Sequence, residues 1–142
     1  MVNTKNEIIK TNEGLLTTIG YQINNEVAYA LEGSIYSCGT TIQWLRDKMK
    51  FFESAKQSEA FLNAGGCSNN VHFLPAFNGL AAPYWNSDVR AGFYGITQNS
   101  SIEDMVTAAF KSICYQTKDI TNILEGYDIS IDSLLVDGGM TS

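Results

Sequence analysis

Two different periods of hydrophobic and polar residues run along this 142-residue chain. Residues 14–23 are rich in β-branched and aromatic side chains, and residues 26–32 alternate apolar with polar or small ones. A period of two predicts strands, and Asn24-Asn25 between the segments has turn chemistry, so together they read as a β-hairpin. An earlier strand is expected through Glu7-Ile8-Ile9-Lys10. Beyond Gly33-Ser34 the period changes. Ile35, Cys38, Ile42, Leu45 and Met49 recur at helical spacing and predict a helix over residues 36–51. Residues 55–62 read as a second, short helix with Ser54 placed to cap it, and residues 63–70 form a loop by composition.

The second half repeats this logic. Val71-His72-Phe73-Leu74 is expected to be a short buried strand, ended by Pro75. Residues 76–85 are apolar and aromatic but broken by glycine and proline, which predicts an ordered loop packed by its own side chains. Residues 90–96 read as a strand. Ser100 or Ser101 can cap the helix that follows, with Glu103 and Asp104 in its first turn, where the helix dipole favours acids. That helix is expected to run to about Leu124, with Met105, Ala108, Ala109, Ile113, Ile120 and Leu124 on its inner face and Gly126 ending it. Residues 129–133 lead to a short buried terminal strand, Leu134-Leu135-Val136, broken by Asp137-Gly138-Gly139. Strands, helices, strands, helix and strand in this order define one α/β domain, with helices packed on a mixed sheet.

Composition narrows the function. A hydrophobic content of 44% with 17% charged residues fits a globular protein. No apolar run approaches the roughly 18 residues of a membrane span, and the polar N-terminus does not read as a signal peptide. The net charge of -6, with no basic cluster longer than Arg46-Asp47-Lys48-Met49-Lys50, argues against broad nucleic-acid binding. An anionic ligand would then be held by local backbone N–H groups and Mg²⁺. Cys38, Cys67 and Cys114 are odd in number and widely spaced, which fits a reducing cytoplasm better than a disulfide framework. His72 is the single histidine, so a zinc site has little to stand on.

Two places can carry chemistry. A strand running into paired glycines, as at Asp137-Gly138-Gly139, lets backbone approach a nucleotide phosphate or sugar without a Cβ in the way; the plainer alternative is an ordinary tight turn. Asp137 could orient Mg²⁺-bound water or fix that turn by accepting from backbone N–H groups, and the second role is the one expected. Gly39 and Gln43 are four residues apart and share a helical face. A glycine inside a helix costs about 1 kcal/mol against alanine, so close helix packing or a flat ligand should justify it. A glutamine one turn on offers the donor and acceptor that an adenine edge requires. No Ser/His/Asp set and no glycine-rich phosphate loop is present.

Several blocks, in order, resemble the glycerol-kinase branch of the FGGY family of carbohydrate kinases. They are Gly14-Leu15-Leu16-Thr17-Thr18, Tyr29-Ala30-Leu31-Glu32-Gly33-Ser34 and Ile42-Gln43-Trp44-Leu45-Arg46-Asp47. The series continues with Pro75-Ala76-Phe77-x-Gly79-Leu80-x-Ala82-Pro83-Tyr84-Trp85, Tyr115-Gln116-Thr117 and Val136-Asp137-Gly138-Gly139-Met140-Thr141-Ser142. Residues 91–110 also resemble the second family signature, although Lys111 stands where that pattern has an acid or glutamine.

The resemblance implies the first part of a C-terminal domain of actin-like ATPase (ribonuclease-H-like) fold. It implies ATP and Mg²⁺ as cofactors, and transfer of the γ-phosphoryl to a primary hydroxyl of glycerol, giving sn-glycerol 3-phosphate. It assigns nucleotide contacts to Gly39, Gln43 and Gly139, and places the catalytic aspartate and the glycerol-binding residues in a stretch before Met1. This chain is therefore expected to carry no catalytic residue and no metal ligand, and to be inactive alone. For the complete protein the expected setting is a cytoplasmic homo-oligomer. A pentulose or hexulose kinase, or a non-catalytic nucleotide-binding module, are the alternatives. An incompletely covered terminal strand is expected to favour aggregation.

Overall fold

The computed structural model of the chain describes residues 1–12, 14–63 and 70–139. Cys67, most of the loop expected over residues 63–70, and residues 140–142 lie outside the described residues. The hairpin forms as the pattern predicts. Strand β2 (Leu16–Ile23) pairs antiparallel with β3 (Glu26–Glu32), and Ile23 faces Glu26 across the turn. Asn24 and Asn25 both take left-handed backbone, at φ 50° and 66°, the conformation that a two-residue turn of matching twist demands. A bulge between Ile19 and Tyr21 bends β2, and β3 contributes Ala28, Ala30 and Leu31 to the core.

The early strand is displaced from its expected position. Strand β1 is Val2–Lys5, pairing Val2 with Leu31 on the free edge of β3, and residues 7–10 form no strand. The cause is a reversal straight after β1. Lys5 sits at φ 59°, the Thr4 hydroxyl donates to the Glu7 carbonyl at 2.8 Å, and the Glu7 N–H donates back to the Thr4 carbonyl at 3.2 Å. Ile9 still packs on the core, and its carbonyl accepts from the Thr17 hydroxyl.

Helix α1 is Gly39–Asp47, shorter than residues 36–51. Thr41, Ile42 and Leu45 form its buried face. Ile35 packs in a separate cluster, Met49 is exposed, and Lys50 at φ 58° cannot continue a right-handed helix. Helix α2 (Ala55–Asn63) is capped by Ser54, whose Oγ accepts from the Gln57 N–H at 3.3 Å, while Gln57 Oε1 accepts from the N–H of Glu53, one residue before the cap, at 2.9 Å.

Strands β4 (His72–Leu74) and β5 (Gly92–Tyr94) make a second antiparallel pair. Among the described residues the strands thus form two antiparallel sheets, one of order β1-β3-β2 and one of β4-β5, where a single mixed sheet was expected. The intervening loop is ordered, with Ala76, Ala81 and Ala82 buried. It is held from outside as well as by its own side chains. Tyr84 donates to Asp119 at 2.7 Å, and the Trp85 indole donates to the Gly14 carbonyl at 2.5 Å. Gly14 is required there, since a Cβ would sit 2.1 Å from the Pro83 carbonyl oxygen.

Helix α3 (Ile102–Gly126) joins the two cores. Ser101 and Asp104 close a capping box at its start, with bonds of 3.3 and 2.8 Å. Its first half buries Val106, Ala108 and Ala109 beside Ile42, Leu45 and Phe73, while Met105 is only half-buried. Its second half buries Ile120 and Leu124 against Leu15, Leu31 and Ala82. Gly33 lets the chain cross this helix closely; a Cβ there would meet Ile120 Cγ2 at 2.7 Å.

The terminal strand does not form. Residues 129–137 have no regular structure, and Leu134, Leu135 and Val136 are 65%, 95% and 66% exposed. A strand needs a ladder partner for its backbone groups, and none of the described strands pairs with this segment.

Candidate functional site

Gly39 is the first residue of α1, so the penalty for a glycine inside a helix does not arise. It is half-buried. One turn later Gln43 is exposed, turned away from Ile42 and Leu45, and its amide is free to meet a ligand edge. Arg46 and Asp47 close the same helix with two hydrogen bonds of 2.7 and 3.0 Å. That bonding raises the guanidinium pKa and lowers the carboxyl pKa, each group stabilising the charged form of the other.

Gly138 adopts φ 103°, open to glycine and costly for any other residue. Its N–H donates to Asp137 Oδ1 at 2.7 Å, so the carboxylate fixes the turn. Gly139 is exposed, and no heavy atom beyond its chain neighbours lies within 4 Å of where a Cβ would stand. Gly39 and Gln43, four residues apart, share one face of α1.

The exposed amide of Gln43 carries the donor and acceptor that an adenine edge requires, and Gly139 presents backbone with no Cβ in the way. No group of three or more His, Cys, Asp or Glu gathers among the described residues. His72 is exposed on β4 opposite Tyr94, and Cys38 and Cys114 are free thiols.

Two features escaped the sequence pattern. Thr107 Oγ1 is buried without a hydrogen-bond partner. Arg90 stands at the rim of an aromatic groove between α1 and β5. Neither has a local signature, because each depends on side chains distant in sequence.

The arrangement of these elements defines an actin-like ATPase domain. Superposition on a glycerol kinase from Plasmodium falciparum, solved with ADP, gives a TM-score of 0.84 at 36% identity, covering 98% of this chain and 28% of that one. A xylulose kinase from Brucella ovis shares the fold at a TM-score of 0.74 and 18% identity, over 93% of this chain and 27% of that one. The sequence profile of the C-terminal domain of the FGGY family of carbohydrate kinases matches residues 1–142, and the chain belongs to that family. Relatives include glycerol kinases from Marinomonas sp., 44% identical over 99% of this chain, and Streptococcus pyogenes serotype M6, 46% identical over 98%. The chain spans 28% of the length of each of these relatives.

Proposed function

We propose that this chain is part of the C-terminal domain of a glycerol kinase, the enzyme that transfers the ATP γ-phosphoryl to glycerol to give sn-glycerol 3-phosphate. The observation that carries this reading is identity of 42–46% to proteins named glycerol kinase across nearly the whole chain. Gly39, Gln43 and Gly139 would contact the nucleotide. Gln43 would pair with the adenine edge, and Gly139 would bring backbone close to the sugar and phosphates. Mg²⁺ would travel on the ATP phosphates, where it neutralises developing charge during transfer. The acid that accepts the glycerol hydroxyl proton would come from outside these 142 residues, so the isolated chain is expected to be inactive. The working enzyme would be a cytoplasmic homo-oligomer.

The test is a substrate panel on the complete protein that contains this segment. Glycerol-dependent ADP release, with xylulose and gluconate inert, supports the reading. Preference for a pentulose or hexulose overturns the substrate assignment, and glycerol-dependent ADP release by the 142-residue chain overturns its inactivity.

A further inference from the structure

Trp44 of α1, Phe73 of β4, Phe77 and Phe93 of β5 converge on an open groove of about 410 Å³, with Arg90, Ala91 and Gly92 as its remaining wall. The rings are ordered against one another: Phe73 and Phe93 lie 4.3 Å apart between centroids, and Trp44 and Phe77 5.0 Å. A volume of this size, mostly aromatic with one charged group at the rim, has the anatomy of a small-molecule site.

Arg90 supplies the specificity. Its Nη1 donates to the Ser87 and Val89 carbonyls at 2.6 and 2.9 Å, which pins the guanidinium to its own loop. That loop is held in turn by Asn86 Oδ1, which accepts from the Asp88 and Val89 N–H groups at 2.9 and 3.3 Å. Among the described residues no carboxylate pairs with Arg90, whereas Arg46 and Lys118 both have acid partners. A guanidinium whose plane is already fixed loses little freedom on binding, and its remaining N–H groups match a carboxylate in a planar fork.

We propose that this groove binds a small planar aromatic monoanion, its ring against Trp44 and Phe77 and its carboxylate on Arg90. The site is separate from Gly39, Gln43 and Gly139, none of which lines it. Trp44 follows Gln43 on α1, but turned about 100° around the helix.

The experiment titrates 2-naphthoate into the 142-residue chain, reading backbone ¹H–¹⁵N shifts and tryptophan fluorescence. Naphthalene-2-methanol serves as the neutral analogue and acetate as the bare anion. Naphthoate should bind with Kd below about 1 mM and the alcohol about tenfold more weakly, with shifts centred on residues 90–93 and Trp44. R90Q should weaken naphthoate about tenfold, to the level of the alcohol, while R90K loses less. A91F, which fills the groove, should weaken both ligands, and retained shift dispersion shows that each variant is folded. Equal binding of naphthoate and alcohol by the parent chain, equal shifts with acetate, or an unchanged R90Q affinity overturns the proposal. A saturating ADP arm distinguishes the two sites: ADP that leaves naphthoate bound supports a separate groove, and ADP that displaces it refutes one.

Discussion

The Tyr84 hydroxyl donates to Asp119 Oδ2 at 2.7 Å, fastening the loop after β4 to the middle of α3 across 35 positions of sequence. That hydrogen bond, then burial, then the Asp119 charge raise the phenol pKa, because all three favour the protonated hydroxyl. A raised folded-state pKa gives stability that is complete below the unfolded value of about 10 and lost as pH climbs through the folded value. Tyr84→Phe should lower stability by about 0.5–1 kcal/mol at pH 7, a hydrogen bond to a charged group discounted for an exposed site. The difference from the parent chain should shrink above pH 10. Identical thermal melts at pH 7 would show that the bond contributes nothing.

Thr107 carries a buried hydroxyl with no partner, on a residue only 5% exposed. Thr107→Val replaces that hydroxyl with a methyl of similar shape and removes the cost of its desolvation. Stability should rise by about 1 kcal/mol, which is a few degrees in Tm. Thr107→Ser keeps the hydroxyl, loses the methyl and should be less stable than the parent. A Val variant that melts lower than the parent would mean the hydroxyl is satisfied in solution.

Gly33 and Ile120 are in steric register, with 2.7 Å between a notional Cβ and Ile120 Cγ2. Gly33→Ala should cost about 1–3 kcal/mol through overpacking. Ile120→Ala should cost about 2–4 kcal/mol through the cavity it opens. The double variant should fall short of their sum by at least about 0.5 kcal/mol, since each change relieves the other. Strict additivity in denaturant titrations would place the crossing elsewhere.

Gln43 is exposed on α1, which separates binding from folding. If the proposed function holds, Gln43→Ala in the complete protein should raise KM for ATP about tenfold with KM for glycerol unchanged, the loss expected for one hydrogen-bonding edge. The melting temperature should stay within about one degree, as for other exposed substitutions. A variant with unaltered ATP kinetics removes Gln43 from the nucleotide site.

Leu135, at 95% exposure, is the most accessible of the apolar triplet Leu134-Leu135-Val136. Leu135→Lys should leave the unfolding midpoint of the 142-residue chain unchanged and reduce its aggregation, measured by light scattering. A lower midpoint would mean that this segment is packed in solution.

The amino-acid sequence determined what local chemistry can determine. Tandem asparagines between two period-two segments specify a turn with positive φ at both positions, and the hairpin follows. Ser100 or Ser101 with acids in the first turn ahead of an apolar helical stripe marks the start of α3, and the structure selects Ser101 through its capping box with Asp104. The resemblance of the motif blocks to one kinase family was equally legible, and the family match over residues 1–142 agrees with it. Tertiary structure decided everything that needs a distant partner. The strand at Val2–Lys5 exists because β3 offers it an edge, whereas the more apolar residues 7–10 follow a reversal and find none. Leu134-Leu135-Val136 has the composition of a buried strand and remains exposed, because no described strand supplies its ladder. The aromatic groove brings together Trp44 and Phe93, 49 positions apart in the chain, and Arg90 becomes its charged rim only through that packing. Periodicity records which face of a segment is apolar; the element that covers that face is chosen by the three-dimensional packing of the whole chain.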